Sequence, residues 1–306
     1  TALVAPPEPE TPAVTDEAVG VYPQTFRDCP ECPEMVVIPA GEFVMGSPEA
    51  ETTREEVPDE YAKWERPQHT VRIDRPFALG KYEITRAEFA AFVRKTGHEA
   101  SGCFYWTGSE VKHDTSNSWT DPGYQQTDRD PVACVSWDDA KAYLEWLSRK
   151  SGKTYRLASE SEWEYAARAG TKTARFWGED ADRGCGYANV HDRTSKSENR
   201  FDWQHHECDD GYAQTAPVGS FAANAFGVHD MLGNVWEWTE DCWNETYVGA
   251  PADGSAWRRG DCDLRVLRGG SWFNAPWYVR AAYRNWLGSE DRLNFFGFRV
   301  ARTLDR

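Results

Sequence analysis

Eight cysteines are the residues of this chain with the most chemistry to offer. Cys29, Cys32, Cys103, Cys134, Cys185, Cys208, Cys242 and Cys262 form four sequence-neighbouring pairs, with gaps of 3, 31, 23 and 20 residues. Zinc is a poor reading, because Cys29-Pro-Glu-Cys32 has no second Cys-x-x-Cys to complete a four-cysteine site. A thioredoxin-like dithiol needs a strand before the motif and a helix after it, and that setting is missing. An even set of cysteines then reads as four disulfides made in an oxidising compartment. Roughly a hundred pairings are open to eight cysteines. Nearest neighbours give Cys29–Cys32, Cys103–Cys134, Cys185–Cys208 and Cys242–Cys262.

The other reactive types are thinly spread. His205 and His206 stand beside Glu207, Asp209 and Asp210 and could offer ligands to a transition metal. Adjacent side chains of an extended segment point to opposite sides, so the pair reads as a solvated loop. His69, His191 and His229 are isolated and read as hydrogen-bonded structural residues. Ser271 follows Gly269 and Gly270, which allow close backbone approach. No base stands near it in sequence, so it reads as a hydrogen-bonding group and not a nucleophile. Trp272, Phe273, Trp277, Tyr278, Tyr283, Trp286, Phe295 and Phe296 crowd the C-terminal stretch of a chain with 15 tryptophans. Rings give large contact area at low entropic cost. Trp277 and Trp286 are expected on the rim of a cleft.

Composition narrows the partners. The 306 residues carry 34 Lys and Arg against 50 Asp and Glu, a net charge of −16. This argues against nucleic acid, whose binding needs a basic face, and equally against an anionic membrane surface. No apolar run is long enough for a transmembrane helix. Residues 1–25, rich in Pro, Glu, Ala, Thr and Val, read as a flexible acidic tether. With no Met at position 1 and with the cysteines, the chain is expected to be periplasmic or secreted, its signal peptide removed. Residues 26–306 read as one α+β domain. The sequence gives no oligomeric state.

Local patterns place the elements. Met35 to Gly46 reads as a hairpin with a turn at Pro39–Gly41. His69–Ile73 alternates like a strand. Helices are predicted after Thr85 with Glu88, after Ser136, and after Ser159 with Glu162, the first and third with capping boxes. Thr154–Leu157 reads as a short strand, and Ser101 to Asp130 as a long polar loop. Beyond Gly170 short aromatic runs alternate with Gly, Asn and Asp turns, with no long helix. That much irregular chain is pinned by ions, disulfides or buried rings.

The second half carries an ordered series of motifs: Arg156-Leu-Ala-Ser-Glu-Ser-Glu-Trp163-Glu-Tyr-Ala-Ala-Arg168, Asn224-Ala-Phe-Gly-Val-His-Asp230-Met-Leu-Gly233-Asn-Val-Trp236-Glu-Trp238, Arg268-Gly-Gly-Ser-Trp272 and Gly297-Phe-Arg299. With the opening Met35 to Gly46 segment, these resemble the formylglycine-generating-enzyme (sulfatase-modifying factor) domain family over roughly residues 33 to 303. The resemblance implies a single domain of C-type-lectin-like topology, low in regular secondary structure and often holding structural calcium. Phe26 to Met35, Glu240-Asp-Cys242, Gly249 to Trp257 and Gly260-Asp-Cys262 are similar to the branch that matures the pyoverdine chromophore in the periplasm.

The resemblance also implies site residues. The family's copper-binding cysteines fall three and eight residues after Ser271, where this chain has Asn274 and Val279. An amide and an isopropyl group make no soft thiolate site, so neither copper nor formylglycine generation is expected. The three-histidine iron site of ergothioneine-type relatives needs a helical domain that this chain lacks. One calcium ion is expected at Asn189, Val190, Asp210 and Tyr212, another at Gly233, Asn234, Val235 and Glu237. Pocket candidates are Ser271, Trp272, Asn274, Trp277, Tyr278, Arg280, Tyr283 and Arg284. For Arg280, Arg284 and Arg299, buried ion pairing competes with substrate binding. Two functions stay open. One is an oxidative maturation enzyme acting on a peptide-derived or aromatic small molecule. The other is a non-catalytic binder of a ligand or partner, in the style of diversity-generating-retroelement variable proteins.

Overall fold

The computed structural model describes residues 23–107 and 110–304. The tether expected over residues 1–25 lies outside the described residues except for its last three, and Thr25 is already paired in a strand. In chain order the strands are β1 Thr25–Phe26, β2 Met35–Ile38, β3 Gly41–Met45, β4 His69–Ile73, β5 Phe77–Gly80, β6 Ser101–Trp106, β7 Val111–Ser118, β8 Tyr155–Arg156, β9 Trp236–Trp243, β10 Asp261–Arg268, β11 Arg284–Gly288, β12 Phe296–Gly297 and β13 Ala301–Thr303. The helices are α1 Glu49–Arg54, α2 Asp59–Ala62, α3 Arg86–Thr96, α4 Trp137–Ser151, α5 Glu160–Arg168 and α6 Arg193–Asn199. Five strands form one sheet in the order β1-β2-β5-β13-β8, and four form another in the order β11-β10-β9-β12. β3-β4 and β6-β7 are separate two-stranded ribbons.

The three longer helices start where the caps say they should. Thr85 with Glu88, Ser136 with Asp139 and Ser159 with Glu162 each close a reciprocal capping box. α4 buries Ala140, Tyr143, Leu144 and Leu147 on one stripe and ends at Gly152 in the left-handed region. α3 packs on α4, while α5 packs on β3, β9 and β10. Trp163, Trp236, Trp238 and Trp272 are all buried. Their rings fill the space between elements that regular secondary structure leaves open.

Two expectations are corrected. Met35 to Gly46 is not a hairpin: β2 pairs with β1 and β5, whereas β3 pairs with β4. Pro39 offers no N–H to continue a ladder. The buried β2 and the alternating β3 suit different sheets. Ser101 to Asp130 is not all loop, because β6 and β7 form an antiparallel hairpin. β7 is solvated along most of its length, so it lacks the apolar alternation that would mark a strand. The four disulfides join nearest neighbours: Cys29–Cys32, Cys103–Cys134, Cys185–Cys208 and Cys242–Cys262.

Candidate ligand-binding cleft

β10 delivers the chain into a double glycine. Gly269 and Gly270 adopt φ of 101° and 73°. A Cβ on Gly269 would lie 3.2 Å from the Trp163 ring, and one on Gly270 would lie 3.0 Å from Val279. The reversal they permit places Ser271 over Asn274. The Ser271 hydroxyl donates to Asn274 Oδ1 at 2.7 Å, and Trp236 Nε1 donates to the same oxygen at 2.7 Å. An indole N–H can only donate, so the orientation of the carboxamide is settled and its amide nitrogen faces elsewhere. A 3₁₀ turn, Pro276–Tyr278, then raises two rings.

Those rings wall a cavity of about 360 Å³, lined by Trp106, Val111, Trp203, Phe273, Asn274, Ala275, Trp277 and Tyr278. The lining comes from three distant stretches of chain. Trp106 and Val111 project from the β6-β7 hairpin. Trp203 is held by a bond from its Nε1 to the Phe273 carbonyl at 3.1 Å, and it stacks on Phe201. Phe273 stacks on Phe295 with centroids 4.7 Å apart. Tyr61 stacks on Trp277, which stacks on Tyr278. Burial pushes the Tyr278 phenol up to about 12, so it stays protonated at neutral pH.

The sequence-predicted pocket residues divide. Asn274, Trp277 and Tyr278 line the cavity. Ser271 and Trp272 are buried beneath it. Arg280, Tyr283 and Arg284 lie behind it, also buried. Arg280 is clamped between Glu51 and Glu65, and Arg284 makes a fork on Glu160 at 2.6 and 2.9 Å. Arg268 joins this frame through Glu164, and Arg299 through Glu237 at 2.6 Å. Burial opposes ionisation of Glu160, but Arg284 and Arg268 outweigh it and hold its carboxyl low. The arginines are therefore spent inside the fold. Trp286 sits half-buried on β11 beside Trp243, away from the cavity. Trp106, Val111 and Trp203 escaped the sequence reading. Only the density of tryptophan in an otherwise polar stretch pointed to them.

Two metal chemistries can be tested against the donors. At the copper position Val279 is fully buried and the Asn274 oxygen already accepts two hydrogen bonds, so these residues do not fit a thiolate copper centre. Oxygen donors for calcium are present. At the first expected locus, Asp210 accepts the backbone N–H of Val190 and of Tyr212, each at 2.8 Å. Asn189 Oδ1 is buried there without a partner. Burial raises the Asp210 carboxyl to about 7. At the second locus, next to Gly233 and Val235, the Asn234 oxygen accepts from Asn189 and Ala216, and Glu237 is taken by Arg299 and Trp163. The unpartnered oxygens nearby belong to Glu83 and Asp230, which the sequence reading did not select. Burial and the Asp230 charge push Glu83 well up, and burial raises Asp230 to about 6.

The solvated loop expected at His205 and His206 is corrected: His206 is buried with its Nδ1 on the His191 carbonyl, and His205 is half-buried with its ring against that of His191. Burial lowers His206 to about 3 and His191 to about 4, so both are neutral.

Known proteins share this architecture. PvdO from Pseudomonas aeruginosa superposes with a TM-score of 0.78 at 39% identity, covering 94% of this chain and all of that one. Treponema denticola variable protein 1 shares the fold at a TM-score of 0.65 and 20% identity, over 92% of this chain and 98% of that one. A formylglycine-generating enzyme of Streptomyces coelicolor is 32% identical over 99% of this chain and 97% of its own length. The fold is a single α+β domain of C-type-lectin-like topology with four disulfides. Residues 22–304 match the sulfatase-modifying factor enzyme 1-like domain, and the chain belongs to that formylglycine-generating-enzyme family.

Proposed function

We propose that the protein takes a peptide-derived aromatic small molecule into the cleft at Asn274 and serves its oxidative maturation, as in the pyoverdine-maturation branch. It does not generate formylglycine. The carrying observation is a ring-walled cavity with a carboxamide at its floor, where the family's thiol chemistry would need cysteine. The likeness to PvdO supports the same reading. Four disulfides suit an extracytoplasmic site of action. The unpartnered oxygens of Glu83, Asp230 and Asn189 support structural Ca²⁺, which would neutralise buried carboxylates and take no part in the reaction.

One observation favours holding over converting. Tyr278 is the only titratable side chain among the described lining residues, and it is a weak acid. The non-catalytic binder is therefore the second reading. Both are tested by adding a purified pyoverdine precursor peptide. Saturable quenching of tryptophan fluorescence is expected under either reading, and growth of chromophore absorbance only if the protein converts its ligand. Absence of saturable quenching would overturn the cleft as ligand site. Conversion of a sulfatase-derived cysteine peptide to its aldehyde, followed by mass spectrometry, would overturn the rejection of formylglycine chemistry.

A further inference from the structure

Trp277 lines a second cavity as well, of about 400 Å³. Its other walls have a different character. Glu55, Glu56, Glu179, Asp182 and Glu207 face it, against Arg54 and the imidazole of His205, which lies 3.5 Å from Glu207. Some of this charge is answered. Arg54 pairs with Glu55 and Glu179, Arg175 backs Glu55 at 2.6 Å, and Arg193 backs Glu207 at 3.2 Å. Glu56 and Asp182 have no cationic partner among the described residues. The cavity thus keeps an excess of negative charge beside a compartment whose rings present electron-rich faces.

We propose that the cleft is selective for a cationic ligand: a peptide in which an aromatic residue neighbours an arginine or lysine. The ring enters the aromatic cavity and the guanidinium or ammonium enters the acidic one. The inference rests on the aromatic cavity being the ligand site, as proposed above. Three features converge on it. Trp277 lines both cavities, which sets them beside one another at a single residue, the spacing that a ring and a charge on adjacent ligand residues would need. The whole chain carries −16, which draws cations toward it and repels anionic competitors. The Asn274 amide nitrogen, left over once its oxygen is engaged, supplies a donor for a ligand carbonyl at the floor.

The test is calorimetric titration of the intact protein with acetyl-Tyr-Arg-amide, acetyl-Tyr-Gln-amide and acetyl-Ala-Arg-amide. The Tyr-Arg probe is expected to bind at least about ten-fold tighter than either other probe at low salt, and its lead over Tyr-Gln to shrink at high salt. In the double variant Glu56→Gln/Asp182→Asn the lead of Tyr-Arg over Tyr-Gln should fall below about three-fold. Both positions are exposed, and unchanged thermal melting would verify the fold. Equal binding of Tyr-Arg and Tyr-Gln, or a lead that survives in the double variant, would overturn the charge selectivity and leave the aromatic site standing. Failure of both tyrosine probes to bind would overturn the aromatic site itself and this inference with it.

Discussion

A carboxamide at position 274 does structural work that a thiolate would not. Its oxygen satisfies the indole of Trp236, a fully buried ring, and the hydroxyl of Ser271. Asn274→Ala should therefore cost about 1–3 kcal/mol in urea unfolding, because the Trp236 N–H loses its partner in a dry interior. Arg280 makes the opposite kind of residue-level prediction. It lies behind the cleft between Glu51 and Glu65, so Arg280→Met should destabilise by about 3–5 kcal/mol by stranding two carboxylates. Arg280 Nε also donates to the Trp277 carbonyl at 2.8 Å, so the affinity of the folded fraction for an aromatic probe should fall by less than about ten-fold, through a shift of that ring and not through a lost ligand contact. Weakened affinity with undiminished stability would put Arg280 in the cleft after all.

Among the elements, the β6-β7 hairpin has most influence on the cleft for its size. It contributes Trp106 and Val111 to the wall, and its own anchor is the Cys103–Cys134 disulfide. Replacing both cysteines by alanine should lower stability by about 3–4 kcal/mol, the chain-entropy value for a loop of this length. It should also weaken binding of aromatic probes, measured by fluorescence titration below the new melting point. The same hairpin marks the limit of what the sequence reveals. The helix caps at Thr85, Ser136 and Ser159 were legible because they lie within four residues of chain. The hairpin was not, because a solvated strand carries no apolar period. Nor was the divergence of β2 and β3, since sheet partners are chosen by tertiary packing. The cleft was half legible. The motif after Gly270 located Asn274, Trp277 and Tyr278, but Trp106 and Trp203 arrive from far upstream in the chain. Glu83 and Asp230 were hidden because only burial distinguishes them from ordinary surface acids.

At the scale of the whole molecule, buried titratable groups tie stability to pH. His206 falls from an ordinary histidine value to about 3 on folding, so its contribution is complete above the unfolded value and lost as pH falls through it toward 3. Between pH 7.5 and 5.5 this one group should remove about 1.4 kcal/mol, and His206→Gln should lose that much less over the same interval in parallel denaturation curves. Calcium should act in the other direction. At about a hundred-fold excess over its Kd the ion should add roughly 2.7 kcal/mol, seen as a rise in melting temperature that a chelator reverses and Glu83→Gln diminishes. The order of the cysteines has a consequence for how such a protein comes into being. As the chain emerges N-terminus first, the native partner of each unpaired cysteine is always the next one to appear. An oxidant that joined consecutive thiols as they emerged would reach the native set in one pass.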